Sequence, residues 1–304
     1  MAVGAIWLGR GVLAGAAMVL LLVPVPEQER TAQASGSAVG AAVEAIMTEV
    51  DSGEMEADAE RAAGEHALRA AGDICLMRHR KLLPGIDRDL RRRFAAASLA
   101  AHDGGIQILR EIEAEAEGAV AWRAALEIAR IEARAGSRQA ARVALARAQA
   151  INSIPRVCRS DMALLAARLA SDRTSAGRHL DAAVAADPAH FTAHVERALA
   201  AASARAETPE ACVVAVRRIM ESVVYLERLT RSSTQLLRIK GRAARLAQGT
   251  PELALLAGFV HERIGREAAA RGTYRAALAK LRSGPCAPAF RQALTIRLGK
   301  VVPG

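Results

Sequence analysis

Two pairs of side chains in the sequence have a spacing that suits chemistry. His190 and His194 are four residues apart, so on a helix both imidazoles would lie on one face and could share a metal ion. The residues between them lack the glutamate of an HExxH site, and no third ligand is evident. Cys75 and His79 could pair as a nucleophile and its base, but no orienting third group or Gly-rich oxyanion loop accompanies them. The sequence therefore favours a protein that is not an enzyme and that uses no metal and no cofactor.

A dense basic block runs from residue 78 to residue 93, on both sides of a Pro-Gly turn. Cations at the end of the preceding helix suit the helix dipole, whereas cations at the start of the next helix are mildly unfavourable there. This excess predicts an anion-binding surface for phospholipid headgroups, an acidic polymer or an acidic partner, and the alternative is a solvated turn. The predicted anion-binding residues are Arg78, Arg80, Lys81, Arg88, Arg91, Arg92 and Arg93.

The net charge of +10 is otherwise scattered over most of the expected helices, which is typical of solvated faces rich in Ala and Arg. Binding of single-stranded nucleic acid would need aromatic platforms among the basic residues. Phe94 is the only ring near the basic block. Nucleic acid is therefore not an expected partner.

Helices must position these side chains. Hydrophobic residues make up 52% of the sequence but aromatic residues only 3%, and runs of Ala, Leu and Arg are strong helix formers. No stretch alternates β-branched and polar residues over five or more positions. The predicted fold class is therefore all-α, with a core closed on aliphatic side chains. Outside the repeats described below, helices are expected at 55–83, 86–102, 105–117, 189–205, 208–230, 233–247 and 287–299.

The N-terminal segment 1–34 has the pattern of a signal peptide. Arg10 precedes an uncharged apolar run, and Ala32-Gln33-Ala34 is a small-x-small cleavage site. An uncleaved signal anchor is the alternative, although the run is short for a membrane span. Either way the rest of the chain is expected outside the cytoplasm, in a periplasm or tethered to the inner membrane facing it. Residues 35–53 are expected to form a linker that carries a short helix, because Gly and Ser interrupt them.

Residues 251–284 predict two helices joined at Gly265. The first helix carries Ala257 and Gly258, and the second carries the pattern Ala270-x3-Tyr274-x2-Ala277. The same second-helix pattern occurs as Ala141-x3-Leu145-x2-Ala148 in 122–155 and as Ala176-x3-Leu180-x2-Ala183 in 157–190. This spacing resembles the tetratricopeptide repeat, in which stacked helical hairpins bury each other's faces.

The repeat is irregular, because Ala176 and Ala270 are 94 residues apart, which is not a multiple of 34. Residues 54–304 are thus expected to form an irregular, TPR-like α-solenoid. Its two short stacks would be joined by the apolar helix 208–230 and closed by a capping helix at 287–299.

The resemblance implies a non-catalytic scaffold or assembly factor that binds a protein or peptide along a groove lined by the first helices of the hairpins. On that reading Arg168, Phe259 and Glu262 are expected to be exposed for a partner. The alternative function is binding of an anionic membrane surface or polymer through the basic block.

The four cysteines, Cys75, Cys158, Cys212 and Cys286, permit two disulfides in an exported chain, with three possible connectivities. Three of them, Cys158, Cys212 and Cys286, lie near the start of a predicted helix, and helix starts in a solenoid lie at its edges. Cys158 with Cys212 is the first expectation, because their helices would belong to adjacent hairpins. The alternative is four buried thiols.

Overall fold

The structure, a computed structural model, describes residues 27–69, 88–100, 102–151, 154, 156–204, 206–230, 232–246 and 249–301. Within these ranges the prediction of an all-α fold is confirmed: there are fourteen α-helices, one 3-10 turn at Arg156–Cys158 and no β-strand. The helices are α1 (Glu27–Asp51), α2 (Glu54–Arg69), α3 (Arg88–Leu99), α4 (His102–Glu115), α5 (Gly118–Arg134), α6 (Arg138–Ala150), α7 (Arg159–Leu169), α8 (Arg173–Ala186), α9 (Phe191–Ser203), α10 (Pro209–Thr230), α11 (Ser233–Leu246), α12 (Pro251–Arg263), α13 (Glu267–Lys280) and α14 (Ala287–Lys300).

Helices α3 to α9 pack mainly in chain order, each against the next. Gly136 allows the tight turn between α5 and α6, because its φ of +85° is in the left-handed region that glycine adopts without steric cost. The core shared by α3 to α7 consists mostly of Ala, Leu and Ile. Trp122 is the one aromatic ring fully buried in it among the described residues, and its indole N–H donates to Sδ of Met162 at 2.9 Å. We call this the first core.

Helix α10 is the centre of a second core. It packs against α1, α2, α9, α11, α12 and α14, and Val216, Ile219 and Val223 are fully buried along it. The expectation that this helix joins two stacks is wrong. A helix that is apolar around most of its circumference can be buried on several sides, so other helices surround α10. The helix expected at 287–299 is α14, and it too lies within this core, with Phe290 and Leu294 fully buried.

The expected linker at 35–53 is also wrong, because most of it belongs to α1. The apolar residues of this stretch recur every three or four positions and bury one face of the helix in the second core, despite the intervening Gly and Ser. These core residues are Val39, Val43, Ile46, Met47 and Val50. The expected signal segment 1–34 lies outside the described residues up to residue 26, and its last eight residues begin α1. None of the described helices has the length and hydropathy to span a membrane.

The three expected repeats correspond to helical hairpins. Residues 122–155 cover most of α5 and α6, residues 157–190 contain α7 and α8, and residues 251–284 contain α12 and α13. Gly265, with a φ of +74°, makes the turn between α12 and α13. Gly258 on α12 faces the ring of Tyr274 on α13, with no room for a side chain between them.

A disulfide joins Cys212 at the start of α10 to Cys286 just before α14, with Cα atoms 5.3 Å apart. The expected pair Cys158–Cys212 is therefore wrong. The physical reason is that Cys158 lies in the first core and Cys212 in the second. Cys158 is itself disulfide-bonded, and Cys75 lies outside the described residues.

Candidate interaction site

The three residues expected to meet a partner differ in accessibility. Arg168, in the last turn of α7, has 53% of its side chain exposed. Phe259 is fully buried, with the guanidinium of Arg297 lying 5.1 Å from its ring centroid. Glu262 accepts hydrogen bonds from Arg297 and from the hydroxyl of Tyr274. Phe259 and Glu262 were therefore wrongly expected to form a binding surface, because α12 uses them to pack and pair within the second core.

The predicted anion-binding block is only partly described. Arg78, Arg80 and Lys81 lie outside the described residues. Arg93 pairs with Glu115 and, at 3.6 Å, with Glu111 on α4. Arg91 is half-buried, whereas Arg88 and Arg92 are exposed. The α3 half of the block therefore offers two exposed cations, because α4 neutralises Arg93.

A charged seam crosses α7, α9 and α11. Glu196 on α9 lies between Arg168 and Arg242, with its Oε1 3.5 Å from Arg168 Nη2 and 3.4 Å from Arg242 Nη2. The Glu196 side chain is 24% exposed, whereas the Arg168 and Arg242 side chains are 53% and 48% exposed. One recessed carboxylate thus holds two protruding guanidinium groups. We call Arg168, Glu196 and Arg242 the seam.

The amphipathic pattern of α11 fixes the orientation of the seam's last cation. Leu236, Ile239 and Ala243 are buried on one face. Arg238, Arg242 and Arg245, which recur at the same spacing, are exposed on another. The helix contains no acidic residue. Its outer surface is therefore cationic from Arg238 to Arg245.

A further cation of α11 meets α12. Lys240 Nζ lies 3.1 Å from Nε2 of His261, so the imidazole accepts this contact as a neutral ring. Burial lowers the pKa of His261, and the charges of Lys240 and Arg266 lower it further. His261 therefore does not add a positive charge beside α11 near neutral pH, and it does not offset one either.

A buried ionic cluster lies at the other end of α7. Asp161 is buried, with its Oδ1 3.1 Å from Nη2 of Arg130 and 3.1 Å from Nε2 of His190, and its Oδ2 3.6 Å from Arg123. His190 Nδ1 accepts the backbone N–H of Ala193 and so caps α9, which leaves Nε2–H to donate to Asp161. The cluster therefore joins α5, α7 and α9.

The charge state of Asp161 follows from these contacts. Burial alone would raise the pKa of the carboxyl, but the hydrogen bond from His190 and the nearby guanidinium groups outweigh it and hold the pKa well below its ordinary range. Asp161 is therefore ionised near neutral pH. Because it is seven residues before Arg168, both side chains lie on the same face of α7. On that face Asp161 contacts His190, the N-cap of α9, and Arg168 contacts Glu196 on α9.

His190 and His194 make separate contacts rather than sharing one. His194 Nε2–H donates to the carbonyl of Pro188 at 2.8 Å, and its ring stacks on Tyr225 with centroids 4.7 Å apart. Burial lowers the pKa of His194 to about 3. No group of three or more His, Cys, Asp or Glu side chains in the described ranges has the geometry to hold a metal ion. The pair Cys75 and His79 lies outside those ranges.

Sequence reasoning identified Arg168 but missed its partners. The absence of any acid on α11 was visible in the sequence and marked Arg242 as a surface cation. Nothing local marked Glu196 as the residue between the two arginines, because it is 28 residues from one and 46 from the other. No protein-family model matches the chain and no curated protein is significantly similar to it, so the chemistry of the seam is the guide to function.

Proposed function

We propose that this chain is a non-catalytic interaction protein that binds a protein or peptide partner at the seam. The observation that carries the proposal is the arrangement of Arg168 and Arg242 around Glu196. Two half-exposed guanidinium groups lie on different helices, and one recessed carboxylate lies between them. The two groups present positive charge to a partner, and no nucleophile among the described residues accompanies them. Such an arrangement recognises and positions a partner.

The hairpin organisation supports a tetratricopeptide-like character for part of the chain. Helices α3 to α9 pack in chain order, as the helices of stacked hairpins do. We place the irregular α-solenoid in this part of the chain only. The helices around α10 form a bundle, and α9, the last helix of the array, packs against α10.

We also propose that the protein acts outside the cytoplasm, within an assembly of the bacterial envelope. The apolar run before the first described helix and the small-x-small triplet support export. The disulfide between Cys212 and Cys286 supports an oxidising compartment. The membrane-surface alternative is less favoured, because Arg93 is already paired on α4.

Site-specific photocrosslinking in envelope fractions tests the proposal. A photoreactive residue at Gln235, which is exposed on α11 seven residues before Arg242 and so on the same face, should capture one defined partner. The same residue at Gln139, exposed on α6, should not. A matching set of cross-linked products at both positions, or none at either, would contradict a partner at the seam. Both substitutions leave the seam intact and replace an exposed glutamine, so the two variants differ in position alone.

A further inference from the structure

We propose that the outer face of α11, together with Arg168, is the docking surface for an acidic, extended segment of the partner protein. The inference rests on the proposed function and specifies the chemistry of its partner. The face consists of Arg238, Arg242 and Arg245 on α11 and of Arg168 on α7, which is joined to α11 through Glu196.

The exposed arginines of α11 differ from the arginines of the second core in how far their charge is neutralised within the chain. Elsewhere in the second core, arginines pair with acids that come from α1 and α2, such as Arg217 with Glu49 and Arg228 with Glu56. On α11, the described part of the chain gives Arg242 only a shared carboxylate, at 3.4 Å, and gives Arg238 and Arg245 no ion pair. The arginines of the second core are therefore balanced within the chain, whereas the three exposed arginines of α11 have one shared carboxylate among them.

Glu196 indicates which anion fits. Its carboxylate already lies within 3.5 Å of both Arg168 and Arg242, so it is an internal example of the group that a partner would supply. A guanidinium offers a planar pair of N–H donors that matches a carboxylate. Each arginine of the seam shares Glu196 with the other and so keeps free donors for a further carboxylate.

The apolar side chains of α11 argue for a protein segment over a lipid surface. Leu236, Ile239 and Ala243 are buried against the fold, so the helix has no apolar face left to insert among acyl chains. The large hydrophobic residues exposed in the described ranges, Leu99 and two valines, lie on other helices. Contact with a bilayer here would rest on charge alone.

The length of the arginine stripe sets the size of the segment. Arg238 to Arg245 spans seven residues, which is about 10 Å along a helix. An extended chain advances about 3.3 Å per residue, with side chains on one face roughly 6.6 Å apart. An acidic run of about four to six residues therefore covers the stripe and reaches Arg168.

The test uses a fluorescently labelled hexaglutamate peptide and the full chain, with fluorescence anisotropy as the measurement. Hexaglutamate should bind, a hexaglutamine peptide should not, and affinity should fall as salt rises because the contacts are exposed charges. The triple variant Arg238→Ser, Arg242→Ser and Arg245→Ser should lose about tenfold or more in affinity.

The matched control removes the same number of positive charges from exposed positions on helices of the first core. Arg110, Arg134 and Arg138 are exposed on α4, α5 and α6, away from the helices that contact α11. Their triple replacement with Ser should leave hexaglutamate affinity within about twofold of the parent. Equal losses in both triple variants would show a response to net charge and would overturn the proposal. Unfolding midpoints measured by circular dichroism ensure that only folded variants are compared.

Other outcomes separate this inference from the proposed function. Failure of hexaglutamate to bind, with a defined partner still captured at Gln235, would overturn the acidic segment and leave the interaction function standing. Binding to phosphatidylglycerol vesicles but not to hexaglutamate, abolished by the α11 variant, would assign the face to a lipid surface instead. Self-association that the α11 variant abolishes, without hexaglutamate binding, would assign it to a second copy.

Discussion

Gly258 and Tyr274 are in direct contact across the α12–α13 hairpin: a Cβ placed on Gly258 would lie 2.1 Å from a ring carbon of Tyr274. The Tyr274 ring is fully buried, and its hydroxyl donates to Glu262 at 3.1 Å. The ring therefore cannot move away from Gly258 without breaking its hydrogen bond to Glu262, and Glu262 is also the ion-pair partner of Arg297. A single methyl group is too large for this position.

Gly258→Ala should therefore lower the free energy of unfolding by about 2–3 kcal/mol, because overpacking outweighs the better helix propensity of Ala. Urea unfolding monitored by circular dichroism measures the change. Gly272→Ala is the matched control, since this exposed helical glycine has no atom within 4 Å of its added Cβ. The control should be neutral or slightly stabilising, and a comparable loss in both variants would contradict the steric argument.

Arg297→Met should destabilise the second core by about 3 kcal/mol or more. The Arg297 side chain is almost fully buried, pairs with Glu262, and lies 2.7 Å from Asp51 on α1. Methionine keeps the length of the side chain but leaves Glu262 without its cation and Asp51 with Lys300 alone. Urea unfolding again measures the effect.

Lys300→Met is the control for Arg297→Met. Lys300 is half-exposed and lies 3.5 Å from Asp51, so its removal should cost less than about 1 kcal/mol. Similar losses of unfolding free energy in the two variants would mean that the burial of Arg297 does not strengthen its ion pairs.

Asp161→Asn should destabilise the chain at pH 7, because Arg123, Arg130 and His190 would lose their shared anion. The folded-state pKa of Asp161 lies well below its ordinary value of 3.8. As the pH falls, the unfolded chain therefore takes up a proton on Asp161 before the folded chain does. The stability that ionised Asp161 contributes is complete above the ordinary pKa and is lost as the pH falls below it. Unfolding curves at pH 7 and pH 3 should show the difference between variant and parent shrinking at the lower pH.

Asp103→Asn provides the comparison for the acid dependence, because Asp103 is fully exposed. Its unfolding midpoint should follow that of the parent at both pH values. A stability difference for Asp161→Asn that stays constant from pH 7 to pH 3 would argue against an ionised Asp161 in the folded chain.

Peptide mapping without reductant should recover Cys212 and Cys286 in one cross-linked pair. The bond closes a loop of 74 residues, so replacing both cysteines with Ala should lower the free energy of unfolding by about 2–4 kcal/mol. Recovery of Cys212 bonded to Cys158 would refute the observed connectivity. Unchanged stability of the double variant would show that the bond does not constrain the unfolded chain.

Local patterns in the sequence predicted the helices well and their assembly less well. The turns at Gly136 and Gly265 and the small-residue contact at Gly258 depend on neighbours within one hairpin, so the sequence could reveal them. The acids of α1 and α2 were also visible, but their partners are remote. Asp51 pairs with Arg297 across 246 residues of sequence, and no local pattern encodes such a contact.

The candidate site shows the same contrast between local patterns, which the sequence reveals, and remote contacts, which it does not. Arg168 was predicted to be exposed from its place on a first helix, and it is. Phe259 and Glu262 occupy comparable positions on α12 but are enclosed, because α13 and α14 pack on that helix and α1 supplies an acid to Arg297. Repeat spacing describes a hairpin in a regular array of hairpins. It carries no information about the helices of the second core, which pack on α12 here.

The contact between α1 and α14 determines the order in which the molecule can be completed. The first core uses residues from about 97 to 169, so it can form as soon as that stretch has emerged. The second core needs Val39 and Val43 from the earliest described helix and Leu294 from the latest. Bringing such distant segments together is slow. During synthesis, α1 therefore stays without α14 until nearly the whole chain has appeared, and the apolar face that these helices share stays uncovered until then.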